Sequence, residues 1–299
     1  LGVGVPYPIV PGCDGAGVVE AVGTSVTEFV PGDRVVTYLA PDVAASRGDD
    51  AYQAYDDAKD CLGIDGRGTF MSKGVLPETA LVHAPSSVDF VPAATITGAW
   101  LTAWNAFFGL KGRELQPGSW VLVQGTGGMS VACLQIAAAV GAHVVATTST
   151  DAKAARLKDL GAEHTVNYRT NATGWGQAAK ALTPEGRGFD IVVDVGGNET
   201  LSQSLVAVRL DGMLLPVGGL GDAGARPVPL MMALVHSCIV RGILGGTRNQ
   251  LRQVVKFIEE KGIVPAVDDV VFELAEAKDA WRRMKEKKHF AKIAIRIDH

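Results

Sequence analysis

The stretch "VLVQGTGGMSVA", residues 121–132, runs from apolar strand residues through a glycine-rich turn into the start of a helix. Gly125, Gly127 and Ser130 stand in a G-x-G-x-x-G spacing, with Ser in the last place. In that arrangement the first Gly permits a tight turn. The second lets backbone approach a pyrophosphate lying on the helix N-terminus, where free N–H groups and the helix dipole favour anions. The third position needs a small residue for close helix–strand packing, and Ser is small enough. The turn Gly125, Thr126, Gly127, Gly128, Met129, Ser130 is therefore the candidate dinucleotide cradle. With 36 glycines in the chain the spacing alone is weak, and the alternative is a tight turn with no ligand. Its place between a strand and a helix is what gives it weight.

Outward from this turn the texture is regular. "GGMSVACLQIAAAVGA" predicts a helix ending at Gly141. Val131, Leu134 and Ala138 form one apolar stripe, and Cys133, Ile136, Ala137 and Val140 nearly complete the circle, so both sides of this helix should be covered. Cys133 then reads as a small core residue. "HVVATT" predicts a strand and "DAKAARLKDLGA" a helix stopped at Gly161. "HTVNY", "FDIVVDVGG", "MLLPVGG" and "IVRGILGG" predict further strands, separated by helical stretches such as "ETLSQSLVAVRL". Repeated β-α-β units with continuously apolar strands imply an α/β fold with a doubly wound parallel sheet, covered on both faces.

Residues 1 to about 92 read instead as β-rich. "AGVVEAVG", "DRVVTYL" and "ALVHAP" are short strands, and Pro31-Gly32 predicts a type II turn. "SRGDDAYQAYDDAKDCLGIDGRG" reads as a polar surface excursion. Beyond residue 245, Leu251, Val254, Val255 and Ile258 recur at helical spacing opposite Arg252, Lys256, Glu259 and Glu260. A second helix, "AEAKDAWRRMKEKK", and a closing strand, "KIAIRI", follow. The length of 299 residues suits about two domains, and 47% hydrophobic residues can fill their cores. A net charge of −4 gives no reason to expect nucleic acid or an anionic membrane as partner. Cys13, Cys61, Cys133 and Cys238 are far apart, which argues against a disulfide framework and for a reducing, cytoplasmic location. The chain opens on Leu1 in a loop-like stretch, and a preceding segment is expected.

The strand "HVVATT" should end at the adenosine ribose. An NAD-selective site places Asp or Glu there to bind the ribose hydroxyls. Here the strand ends at Thr148, followed by Ser149, while Asp151 reads as a helix N-cap and Lys153 and Arg156 follow. Hydroxyls and a cation suit a 2′-phosphate, each hydrogen bond to a charged group contributing about 1.5–3 kcal/mol. The expected cofactor is NADP, bound as NADPH. Lys153 on an ordinary solvated helix face is the competing reading.

With these residues in view, the chain resembles the medium-chain dehydrogenase/reductase superfamily, in its zinc-independent alcohol dehydrogenase-like and quinone reductase-like branch. "PGCDGAGVVEAVG", "FVPGDRVV", "AATITGAWLTAWNAFF", "VLVQGTGGMS", "NYR", "VVDVGG", "RGI" and "HFAKIAI" match its motifs in order. The resemblance implies a Rossmann sheet inserted in a β-rich GroES-like catalytic domain. The implied boundaries are 1–98 for the first part of the catalytic domain, 99–244 for the Rossmann domain, and 245–299 for the C-terminal return. It places Thr102 near the nicotinamide carboxamide, Tyr168 near the adenosine phosphate, Val195 and Gly218 along the cofactor, and Leu244-Gly245 beside the nicotinamide. Lys292 of "HFAK" stays unassigned. A homodimer paired through "CIVRGILGG" is a further implication, although an ordinary interior strand would read the same.

The resemblance also frames Cys13 and Asp14, the pocket candidates. Zinc enzymes of the superfamily use one ligand from the segment before Leu1, a His at the place of Cys13, and a Cys at the place of Gly98. Catalytic zinc needs three protein ligands and an open position, and Gly98 has no side chain. No metal is expected, and Cys13-Asp14 reads as a turn at the active-site floor. The expected function is hydride transfer from NADPH to a carbonyl, enone or quinone, a small-molecule substrate. A zinc-dependent alcohol dehydrogenase and a non-catalytic dinucleotide-binding sensor or structural protein are the alternatives.

Overall fold

In the computed structural model, residues 7–219 and 225–297 are described. The chain divides into two compact units, one running through Asn105 and resuming at Leu244, the other spanning Ala106–Ile243.

The first unit begins with an antiparallel sheet of β1 (Ala16–Val18), β2 (Arg34–Thr37) and β3 (Leu81–His83) in that order. Val36 lies opposite both Ala16 and Val82, so the middle strand is buried from Val35 to Thr37. The turn into β2 forms as its Pro-Gly pair predicts: Gly32 has φ +99°, and the Asp33 N–H donates to Val30 O at 3.2 Å. After β2, α1 (Pro41–Arg47) starts with Pro in its first turn. The polar stretch expected to lie on the surface departs from that reading at Cys61 and Leu62, which are buried. Leu62 N–H donates to Leu39 O at 2.9 Å, and this tie draws the loop inward. A short α2 (Phe90–Ala93), a π-helical turn (Ile96–Trp100) and α3 (Leu101–Phe108) then lead the chain out.

The second unit is a six-stranded sheet with every pairing parallel. In chain order its elements are β4 (Trp120–Gln124), α4 (Gly128–Val140), β5 (His143–Thr148), α5 (Asp151–Asp159), β6 (His164–Asn167), α6 (Trp175–Lys180), β7 (Phe189–Asp194), α7 (Leu201–Ala207), β8 (Val208–Pro216), α8 (Met232–Val235) and β9 (Ile239–Val240). The spatial order is β6-β5-β4-β7-β8-β9, the doubly wound Rossmann order. Val121, Leu122 and Val123 of β4 are fully buried. Each such side chain contributes about 1.5–3 kcal/mol relative to exposure. Leu122, Val145, Trp175, Phe189, Val192, Leu205 and Leu214 belong to one core cluster of the unit. Gly141 ends α4 in the left-handed conformation, at φ +90°.

Two local expectations are corrected. Asp151 does not cap α5; the Thr150 hydroxyl accepts the Lys153 N–H, and Asp151 takes the first helical position. The helix expected through Leu210 stops at Ala207, because Val208 pairs with Phe189 and starts β8. A buried β-branched residue beside a central strand contributes more as strand than as an added helical turn.

On its return, the chain forms α9 (Arg248–Lys261), β10 (Val267–Glu273), α10 (Ala277–Lys285) and β11 (Lys292–Arg296). Thr247 and Gln250 make a reciprocal capping box at the start of α9, and Leu251, Val254 and Ile258 form its buried stripe. β10 was not foreseen: "VDDVVFE" alternates imperfectly, and it is strand because it pairs in parallel with β11.

Candidate functional site

The carboxyl edge of the parallel sheet collects the second unit's candidate residues. Gly125–Ser130 follow β4, Thr148 and Ser149 close β5, Tyr168 follows β6, and Val195 and Gly218 lie just past β7 and β8. This is the edge where open α/β sheets bind ligands. Adjacent members are tied directly: Tyr168 N–H donates to Thr148 O at 3.1 Å, and Gly125 N–H to Thr147 O at 3.0 Å.

The glycine turn fits a dinucleotide. Gly125 has φ +77°, a conformation that favours glycine. A Cβ built on Gly125 or Gly127 would meet no protein atom within 4 Å, so this backbone is bare toward open space. Gly127 is the N-cap of α4 and offers no side-chain acceptor to the first-turn N–H groups, leaving them to solvent or an anion. Ser130 fills the packing position; it is buried, and its hydroxyl donates to Gln124 O.

At the adenosine end the hydroxyls divide. Thr148 is buried and its hydroxyl is turned onto Thr150 O at 3.4 Å, whereas Ser149 and Lys153 are half-buried. Tyr168 is 38% exposed.

In the first unit, Cys13 and Asp14 lie beside the π-helical turn. Asp14 Oδ1 accepts the Gly98 N–H at 2.8 Å, and Asp14 Oδ2 pairs with the Lys292 ammonium of β11. The Thr69 hydroxyl donates to Asp14 O at 2.7 Å, and the Thr37 hydroxyl to Cys13 O at 2.6 Å. Burial, reinforced by the Asp14 charge, pushes the Cys13 thiol well above the usual thiol range and keeps it protonated. The Asp14 carboxylate raises Lys292 above the ordinary lysine value, so its ammonium is a fixed charge at neutral pH. A Cβ at Gly98 would lie 2.9 Å from Asp14 Oδ1, so any side chain here requires the Asp14 carboxylate to shift. Among the described residues, no three His, Cys, Asp or Glu side chains gather in a metal-binding group.

Thr102 sits on α3 with its hydroxyl donated to Gly98 O at 2.6 Å. Gly245 has φ +58°, and its carbonyl accepts from Asn105 Nδ2 at 2.8 Å, while the buried Tyr38 hydroxyl donates to Gly246 O at 3.1 Å. Asn105 and Tyr38 thus pin the 245–246 backbone. Sequence reading passed over both, as well as Gln124 and Asp194, and left Lys292 unassigned. The signal for Lys292 was a cation opening the closing strand, ahead of the apolar Ile293-Ala294-Ile295. For Gln124 and Asp194 it was a polar residue ending each of two apolar strands.

Comparisons with known proteins agree with this architecture. Residues 2–86 match the alcohol dehydrogenase GroES-like domain and residues 128–260 the zinc-binding dehydrogenase family. A zinc-type alcohol dehydrogenase-like protein of Schizosaccharomyces pombe is 38% identical over 295 residues, which cover 97% of this chain and 83% of that protein. A crystal structure from Sinorhizobium meliloti 1021, assigned as an alcohol dehydrogenase, matches with a TM-score of 0.87 at 37% identity, over 98% of this chain and 83% of that one. The crystal structure of an NAD-dependent alcohol dehydrogenase matches with a TM-score of 0.83 at 32% identity, over 98% and 84% of the two chains. A Rossmann sheet with a bare glycine cradle, carried together with a GroES-like unit, defines a class of nicotinamide-dependent oxidoreductases. The chain belongs to the medium-chain dehydrogenase/reductase superfamily and is an oxidoreductase of its alcohol dehydrogenase and quinone reductase type.

Proposed function

We propose that the protein transfers hydride from NADPH to a carbonyl carbon, or to the β-carbon of an enone or quinone, without zinc. The observation that carries this reading is the arrangement around Asp14. One of its oxygens is taken by the Gly98 N–H and the other by Lys292, and the position that would supply a cysteine ligand is a glycine, where a Cβ would press on the Asp14 carboxylate at 2.9 Å. These residues do not fit a zinc ion, which needs three ligands free to coordinate.

When bound, the dinucleotide supplies the hydride; the chain supplies binding and orientation. Gly125, Gly127 and the N–H groups opening α4 hold the pyrophosphate. Ser149 and Lys153 meet the 2′-phosphate, and no carboxylate stands at the end of β5 to repel it. By position in the superfamily, Thr102 and Leu244-Gly245 orient the nicotinamide. The Thr102 hydroxyl is already committed to Gly98 O, so it acts by shape and through its remaining acceptor capacity. Substrate polarisation falls to hydroxyl and backbone N–H donors, which favours substrates that are already electrophilic.

The test is NADPH and NADH oxidation against a panel of quinones, enones and aldehydes, with the zinc content of the same sample measured. Turnover at a zinc stoichiometry near zero supports the proposal. Activity that tracks bound zinc would favour the second reading, a zinc-dependent alcohol dehydrogenase, with which the name of the S. pombe relative, a zinc-type alcohol dehydrogenase-like protein, is in keeping.

The same reading includes a homodimer. Leu230, Met231, Leu234 and Val235 are exposed beside the edge strand β9, an apolar patch suited to a second copy. Four unpaired cysteines fit a cytoplasmic setting. No helix among the described residues is long and apolar enough to cross a membrane.

A further inference from the structure

Gln124 ends β4 and is only 4% exposed, yet every polar group of its side chain is used. Its amide nitrogen donates to Asp194 Oδ2 at 3.0 Å and to Ser204 Oγ at 2.6 Å. Its amide oxygen accepts the Val195 N–H at 3.4 Å. Its main-chain carbonyl accepts the Ser130 hydroxyl, across the glycine turn.

Asp194, which ends the neighbouring strand β7, is fully buried and is held without any basic side chain. Gly196 and Gly197 N–H groups donate to its Oδ1 at 3.1 and 2.9 Å, the Thr200 hydroxyl at 2.8 Å, and the Ser204 hydroxyl donates to its Oδ2 at 2.5 Å. A buried carboxylate is tolerated only when its lone pairs are met in this way. The donors come from the loop after β7, from α7 and from Gln124. The network therefore links the two loops that leave adjacent strands β4 and β7, where the strand order reverses. That reversal point is where such sheets open a ligand crevice.

We propose that Gln124 is a positioning residue for the dinucleotide: through Asp194, Val195 and Ser130 it fixes the glycine turn against the loop after β7, and tight binding depends on that fixed separation. This rests on the dinucleotide reading above. The energetic basis is preorganisation, since a loop already held in its binding geometry loses less entropy when ligand arrives.

Two substitutions separate this role from a merely structural one. Gln124→Glu keeps the shape but sets a carboxylate against Asp194, and two carboxylates sharing a site retain a proton more strongly than either alone. Gln124→Met removes the side-chain hydrogen bonds at every pH and leaves the main-chain bond to Ser130 in place. Among the side chains bonded to Gln124, only Asp194 is ionisable. The measurements are melting temperature without ligand and NADPH and NADH dissociation constants by fluorescence, over about pH 6–8 beside wild type.

Both folded variants should bind dinucleotide about tenfold more weakly near pH 8. The gap to wild type should close for Gln124→Glu as pH falls, and stay open for Gln124→Met. Folded variants that bind as wild type at every pH would overturn the proposal. Should both variants fail to fold, Ser204→Ala serves in their place. It removes one bond to Gln124, and a folded protein with unweakened binding would again overturn it. Wild type that binds neither dinucleotide overturns the reading beneath, before any variant is made.

Discussion

Lys292 and Asp14, 278 residues apart in the chain, form an ion pair whose carboxylate also accepts the Gly98 N–H at 2.8 Å. Three separate segments of the first unit are joined by that one carboxylate. Around Cys13-Asp14, burial and the Asp14 charge push the thiol above its usual range, and the carboxylate balances the Lys292 ammonium.

Removing the ammonium should therefore cost stability without creating a metal site. The two side chains are 33% and 21% exposed, so solvent screens the pair in part. Lys292→Met should lower the unfolding free energy by about 1–2 kcal/mol at neutral pH. Because the folded-state Lys292 value is raised, the pair's contribution is fully present below the unfolded value of about 10.4 and is lost as pH rises through the folded value. Urea unfolding near neutrality and again at high pH checks both points; equal loss at the two would refute the linkage. Gly98→Ala should also lower the melting temperature, since its Cβ would displace the carboxylate from Lys292.

A second charge cluster governs the acid limb. Arg248 is 3% exposed and meets Glu28 at 2.7 Å and Asp49 at 3.1 Å, and Arg252 bridges the same two carboxylates. Burial alone would raise Glu28 and Asp49, but hydrogen bonds and charge from Arg252 and Arg248 outweigh it and hold both below the usual carboxylate range. Their contribution is present above the unfolded values of about 4.3 and 3.9, and is lost as pH falls through the folded ones. Arg248→Met should cost about 3 kcal/mol at pH 7 and flatten the fall in stability below about pH 4. Unchanged slope in acid denaturation would count against this assignment.

The Rossmann unit was legible because its signals are local. The turn at Gly125–Ser130, the left-handed stop at Gly141, and the apolar runs of β4, β5 and β7 each depend on residues within a few positions of one another. Where the deciding partner is distant, the sequence could not speak. β10 is strand only because β11 lies beside it, and Val208 leaves the helix only because Phe189 pairs with it. Lys292 falls in the same class: nothing near "HFAK" points to Asp14. The candidate cofactor residues follow the ends of strands, and so they could be read; Gln124 and Asp194 end strands too, but their role lies in a network spread over 80 residues.

On the proposed reading the cofactor preference rests on Ser149 and Lys153, neither of them buried. Lys153→Ala should weaken NADPH binding by about tenfold while changing NADH binding little. Ser149→Asp should reverse the preference, by repelling the 2′-phosphate and accepting from ribose hydroxyls. Parallel fluorescence titrations with both nucleotides measure this directly. Tighter NADH binding by wild type would reject the phosphate site while leaving the fold untouched.

The thiols should be slow to alkylate near neutral pH. Burial raises Cys13 and Cys133 far above the usual range, and Cys61 to about 11 with the help of nearby aspartates. The reactive species is the thiolate, so labelling by iodoacetamide at about pH 7.5 should trail a free thiol by more than tenfold. Mass spectrometry of the labelled peptides identifies any site that breaks this pattern. Rapid labelling of Cys13 would mean that Asp14 and burial do not control it.

Gly127→Ala separates folding from binding at the cradle. Its backbone φ is −78°, which any residue adopts, and a Cβ there meets no protein atom within 4 Å. Folding should lose less than about 1 kcal/mol, the cost of a poorer N-cap. A pyrophosphate lying against that backbone would meet the new methyl at once, so dinucleotide affinity should fall by tenfold or about that. Gly125→Ala gives the contrasting result: its φ of +77° penalises any side chain, so stability and binding should fall together. Melting temperature and dissociation constant measured on both variants give the comparison. A Gly127→Ala protein that melts like wild type and binds like wild type would remove the cradle from the site.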